Sequence, residues 1–151
     1  MPDKSAIDKA LEDKKEGKSA STQAGEFVHD EIEKIRKGEH GARSAKQAIA
    51  IGLSEARRAG VKLAPPKKGT VSEKTRVNAA RESEKGERHE PISRTRSRAS
   101  IKALKREPTS SVSKSALSRQ AKSAAQKKLQ QVGLLLQEKH PGRKGVSSSF
   151  R

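Results

Sequence analysis

Eleven Lys and Arg residues stand between positions 94 and 128, namely Arg94, Arg96, Arg98, Lys102, Lys105, Arg106, Lys114, Arg119, Lys122, Lys127 and Lys128, against a single acid, Glu107. Cations at that density suit a polyanion, nucleic acid before an anionic membrane, and the blander account is a solvated tail that keeps the protein soluble. Such cations neutralise phosphates and release condensed counterions, which gives affinity for nucleic acid with little preference for sequence. Arg94, Arg96 and Arg98 alternate, a spacing that fits an extended segment laid in a minor groove. With two Phe and no Trp or Tyr, the chain lacks the side chains that stack on unpaired bases. That argues against an RRM-like or OB-like reader, and DNA is the preferred partner over RNA.

Other spacings carry less. His29 and Glu33 stand four apart on one helix face, as two metal ligands can, but no third ligand accompanies them and a solvated face is the better account. Lys67-Lys68-Gly69-Thr70 reverses the Gly-Lys-Thr order of a P-loop and belongs to a linker. The sequence offers neither a Ser/His/Asp set nor paired carboxylates in an apolar setting. We therefore expect a non-enzymatic protein with no metal and no cofactor. The absence of Cys excludes disulfides and thiolate ligands.

The charge is unevenly placed. Residues 1–64 hold 13 Lys/Arg against 11 Asp/Glu, whereas residues 65–151 hold 22 against 7, so nearly all of the net +17 lies in the second part. A tail of that sign repels itself when free and calls for a polyanion. Leu, Ile, Val and Phe make up only 25 of the 151 residues, below the roughly 20% under which highly charged chains tend to disorder. Small local cores are expected, on helices. No apolar run approaches the roughly 18 residues of a membrane span, and the first residues lack the basic-then-apolar order of a signal peptide. The expected location is cytoplasmic and nucleoid-associated.

The segment 44–60 combines a start signal, an apolar face and a stop. Ser44 and Gln47 are spaced as a capping box, Gly60 ends the run, and Ala45, Ala48, Ile49, Gly52, Leu53, Ala56 and Ala59 share one face. Lys46, Gln47, Ser54, Arg57 and Arg58 take the other. A preceding helix over 22–37 aligns Ala24, Val28, Ile32 and Ile35, with Phe27 at the edge and Glu31 inside the stripe, facing Arg57 or Arg58. The six-residue connection 38–43 makes the two an αα-hairpin. Gly52, unfavourable by about 1 kcal/mol in a helix, then implies a close backbone approach. Phe27, Val28, Ile32, Ile35, Ile49, Leu53 and Ala56 are the expected packing or partner residues. A helix-turn-helix drawn through 22–60 has too long a turn and too few base-reading side chains.

A short, marginal helix over 5–16 precedes the hairpin, with Ser5 and Asp8 spaced as its capping box and Ile7, Ala10 and Leu11 on one side. Pro65-Pro66 marks the expected boundary of the head. Beyond it, 72–85 permits a helix with little to bury. Pro108 breaks the basic run. The longest element spans 113–138, with Leu117, Ala121, Ala124, Ala125, Leu129, Val132, Leu135 and Leu136 on one face, Lys128 intruding, and Pro141-Gly142 as the stop. That face suits self-association or docking on the head. Lacking Trp and Phe, it is a poor membrane binder.

The block 42–57, Ala-Arg-Ser-Ala-Lys-Gln-Ala-Ile-Ala-Ile-Gly-Leu-Ser-Glu-Ala-Arg, preceded by Gly25-Glu26-Phe27, resembles the hallmark of a family of small basic bacterial proteins of unknown function. The likeness covers about residues 18–69. It implies a bacterial cytosolic protein and carries over no activity, substrate or catalytic residue.

The expectation is an all-α protein: a helical head over 1–64 containing the hairpin 22–60, a basic, partly disordered linker over 65–112, an amphipathic helix over 113–140 and a disordered tail over 141–151. Its expected function is sequence-independent DNA binding of an architectural, nucleoid-associated kind. The alternatives are an RNA- or ribosome-associated basic protein, or a stress-related adaptor whose head holds a partner.

Overall fold

The computed structural model describes residues 3–139, and its regular elements in that span are helices, with one isolated bridge between Lys68 and Val71 in the stretch joining the third and fourth. The helices are α1 (Lys4–Lys15), α2 (Ala20–Arg36), α3 (Ala45–Arg58), α4 (Glu73–Glu87), α5 (Arg94–Leu104) and α6 (Lys114–Lys139), with a single 3-10 turn at Thr109–Val112. Residues 1–117 form one compact unit and 118–151 a second.

The hairpin forms as its sequence dictates. Ser19 Oγ accepts from Thr22 N–H at the start of α2, and Ser44 Oγ accepts from Gln47 N–H at the start of α3. The reciprocal half of the α3 box is displaced by one residue, because Gln47 Oε1 takes the N–H of Arg43 at 2.8 Å. Along the seam Phe27 meets Ala56 in one apolar cluster and Ile35 meets Ala48 in another, so the two helices run antiparallel. Between these clusters sits Gly52, where a Cβ would lie 2.7 Å from Val28 Cα. The close approach implied by a glycine in the apolar face is therefore present.

Helix α1 is secured by tertiary contact rather than by its own propensity. Ala6 and Ala10 pack with Ala24, Phe27, Ala56 and Val61, and Asp3 and Lys9 reach Lys34 and Glu26 of α2 at 3.7 and 4.0 Å. Two expectations change here. Asp3, not Ser5, occupies the N-cap position and makes no side-chain cap, and Leu11 is 48% exposed while Ala6, Ala10 and Asp13 are buried. In α2, Phe27 lies at the centre of the core, not its edge. A third helix packing from the α1 side widens the apolar arc.

The largest departure concerns residues 65–112, expected as a partly disordered linker. Helix α4 begins under a Ser72 cap and lays Gly86 against the Arg57 carbonyl so closely that any Cβ would strike it. Arg58 Nε reaches Glu82 at 3.1 Å. Further on, Val112 is fully buried with Ile35, Ala42 and Ala48, and its carbonyl accepts from Arg36 at 3.5 Å. The expected boundary at residue 64 thus falls inside the first unit, and the unit ends at residue 117. The head alone has too little apolar surface, and chain distant in sequence supplies the missing cover.

Helix α6 spans the expected segment. Within it Leu129 and Val132, members of the expected stripe, are 72% and 47% exposed. The stop at Pro141-Gly142 and the tail 141–151 lie outside the described residues, as do the side chains of Leu135 and Leu136.

Candidate nucleic-acid interface and the cleft beneath α5

Arg94, Arg96 and Arg98 begin a helix rather than an extended strand. Ser93 caps it, accepting from Arg96 N–H, and the following residues lack the β-branched or glycine runs that would keep them extended. The alternation expected of an extended segment is therefore replaced by helical spacing. Arg94, Arg98 and Lys102 recur every four residues on one side, about 6 Å apart at 1.5 Å rise per residue. Arg96 turns toward the opposite side, where Ser97, Ser100, Ile101 and Leu104 face the head.

The C-terminal end of α5 is fastened to the α2–α3 connection. Gly41 N–H donates to the Leu104 carbonyl at 3.0 Å and Ala42 N–H to that of Pro108 at 3.1 Å, a contact possible only because Gly41 carries no side chain. Glu107 Oε1 pairs with Arg43 at 3.3 Å. The one carboxylate of the 94–128 run is thus drawn to the head, away from the cations around it.

All eleven cations of that run are exposed, and none forms an ion pair among the described residues. Elsewhere the pattern differs. Lys18, Lys34, Arg58, Arg76 and Lys85 each hold a carboxylate. The expected packing residues are turned inward: Phe27, Ile35 and Ala56 are buried and Val28, Ile32, Ile49 and Leu53 half-buried. His29 and Glu33 form an exposed pair at 3.7 Å. Among the described residues no three His, Asp or Glu gather where a metal could sit, and no helix is long and apolar enough to cross a membrane.

Beneath α5 lies a cleft of about 880 Å³, walled by α3, α4 and the loop before α5. Glu31 lines it, 2% exposed, with Oε2 3.6 Å from His40 Nε2 and not opposite Arg57 or Arg58 as the helical wheel suggested. The chain folds back just after α2 ends, which brings His40 within reach of position 31. Arg57, placed by the same wheel on the outer face, is buried beneath α4, and that burial pulls its pKa down. Burial works against the Lys34 charge too, yet the hydrogen bond to Asp30 and the fields of Glu55, Asp30 and Asp3 outweigh it and hold the ammonium above its ordinary value.

Burial raises the Glu31 carboxyl above the ordinary range; His40 and Lys34 oppose this, and Glu55 adds to it. Above the raised value Glu31 is charged both folded and unfolded, and folding bears the full cost of burying it. As pH falls through that value toward the ordinary 4.5, the folded state takes up a proton that the unfolded state does not, and the cost is relieved. Glu31→Gln has no such titration. The melting temperature of the wild type, measured relative to that variant, is expected to rise as pH falls through the raised value toward 4.5. Parallel pH profiles for the two proteins would disprove the assignment.

The missed residues gave different signals. Gly41 was visible as a glycine in a connection, and Gly86 read as the residue that follows a helix over 72–85, whereas it lies inside α4. Val112, set among serines, carried no sign that it belonged to the core.

No curated protein and no solved structure matches the chain. Residues 14–68, which hold α2, α3 and the connection between them, match the model of a family described as a family of unknown function (DUF6496).

Proposed function

We propose that this protein binds DNA through phosphate contacts made by α5 and α6, without sequence readout and without catalysis, as an architectural, nucleoid-associated protein of the cytoplasm. The observation that carries this reading is the set of eleven exposed cations over residues 94–128, none ion-paired among the described residues. Unpaired cations retain their full attraction for phosphate and surrender no internal salt bridge on binding. On α5 the stripe Arg94, Arg98 and Lys102 stands on a helix whose end is fastened to the head, so its side chains need little backbone ordering to reach a polyanion. The adaptor reading has less support, since the apolar residues that would recognise a partner are spent on the core of the first unit.

Fluorescence anisotropy of a labelled random-sequence duplex, titrated with full-length protein across salt concentrations, tests this. Each phosphate neutralised contributes about −0.9 to the slope of log K against log salt. The variant Arg94→Ala/Arg98→Ala/Lys102→Ala is expected to reduce the slope by about 2–3 and to weaken all duplexes alike. Neutralising Arg119, Lys122, Lys127 and Lys128 is expected to act in the same sense. A slope unchanged in both variants would refute the reading, and tighter binding to single-stranded RNA than to duplex DNA would move the assignment to RNA.

A further inference from the structure

The interior of the cleft beneath α5 is not used by the phosphate contacts, although Arg96 and Lys105 stand on its rim. Its volume, about 880 Å³, falls in the range of small-molecule sites, roughly 300–1,000 Å³. Two walls carry hydrocarbon among their polar side chains: Ala50 and Ile51 from α3, and Ile101 and Leu104 from α5. Between them lie carboxylates, with Glu31 and Glu55 on the head side and Glu82 from α4.

Of the four Lys and Arg residues that line the cleft, Lys34 and Arg58 are committed to carboxylates. Lys34 Nζ lies 2.7 Å from Asp30 and 3.7 Å from Asp3, and Arg58 Nε lies 3.1 Å from Glu82. Arg96 and Lys105 stand on the exposed α5 rim. Among the acids of the cleft Glu31 is the most deeply buried. It is 2% exposed, its Oε1 has no hydrogen-bond partner among the described residues, and its Oε2 has the His40 ring at 3.6 Å. A buried carboxylate short of donors is costly. Such groups call for an occupant or a role.

We propose that the cleft binds a small organic cation, an ammonium group on a flexible methylene chain, with Glu31 as its charge partner and Ile51, Ile101 and Leu104 packing the methylenes. An ammonium supplies three donors, which matches what Glu31 lacks. An anion would meet carboxylates on the head side and on α4. The protein as a whole is +17 and repels cations at long range, so saturable uptake reports the cleft rather than the general field.

Isothermal titration calorimetry of the full-length protein with spermidine, in physiological salt, tests the proposal. One saturable site is expected, with butylamine weaker and magnesium ion unable to compete at equal ionic strength. Glu31→Gln is expected to weaken binding at least about tenfold, equivalent to about 1.4 kcal/mol. Ile101→Lys changes a side chain that is 41% exposed, leaves the core intact and is expected to abolish binding by placing a cation on the wall. The second variant decides the matter if the first loses helical circular dichroism. Absence of saturable binding to the wild type, undiminished affinity in Ile101→Lys, or equal competition by magnesium ion would overturn the proposal.

Discussion

Replacing Gly52 with Ala will destabilise the first unit by about 1–3 kcal/mol, the usual cost of forcing extra volume into a packed interior, even though Ala gains about 1 kcal/mol of helix propensity over Gly. The added Cβ would stand 2.7 Å from Val28 Cα, 2.9 Å from Val28 N and 3.0 Å from the Phe27 carbonyl oxygen. These are backbone atoms that cannot rotate aside, so α2 and α3 must separate, and the clusters on either side of Gly52 lose contact together. Gly52→Val will cost more. Gly25 provides the internal control, because it lies in α2 with nothing within 4 Å of where its Cβ would be. There the same change to Ala will raise stability by up to about 1 kcal/mol. Thermal melts by circular dichroism read both. A Gly52→Ala protein as stable as Gly25→Ala would show that the helices do not approach as described.

A chain ended after residue 64 will unfold without a cooperative transition, whereas one ended after residue 117 will keep the wild-type transition of the first unit. The shorter chain retains the hairpin but loses Val112 from the cluster of Ile35, Ala42 and Ala48, along with α4, which covers the last turn of α3. Burying one Val side chain contributes about 1.5–3 kcal/mol. A single core in a chain below about 70–80 residues rarely supplies more than about 3–5 kcal/mol in total. Losing Val112 and α4 together therefore removes most of the margin, and exposing the buried guanidinium of Arg57 rearranges what remains. Urea titration followed by circular dichroism separates the two lengths. Val112→Asp in the full chain will reproduce much of the loss, since it buries a charge without a partner. Equal cooperativity of both truncations would restore residue 64 as the boundary of an autonomous head.

Helix existence was legible because it is a local property. The Ser44 and Ser72 caps each rest on a hydroxyl three residues from the N–H it accepts from, and the α3 face can be read at 3.6-residue spacing without reference to any partner; α5 was the exception, since its alternating arginines read as an extended segment although Ser93 caps a helix there. Gly52 likewise declared itself, being unfavourable in a helix unless something fills the space it leaves. The charge of residues 94–128 is also fixed by composition, and it carries the proposed DNA binding.

What the sequence could not disclose is which surfaces meet. Helical spacing gives an angle around an axis, not the arc another element will cover, so Phe27 read as an edge residue and Arg57 as an outer one until α1 and α4 were placed over them. Glu31 faces His40 because the chain folds back just after α2 ends, a relation with no local signature. Gly41 touching Glu107 and Val112 entering the core join residues more than sixty positions apart. Residue types and local spacing determined the helices and the charge of this protein; the fastening of α5 to the head, the boundary at residue 117 and the cleft holding Glu31 were decided by tertiary packing, because burial is set by neighbours that only the folded chain brings together.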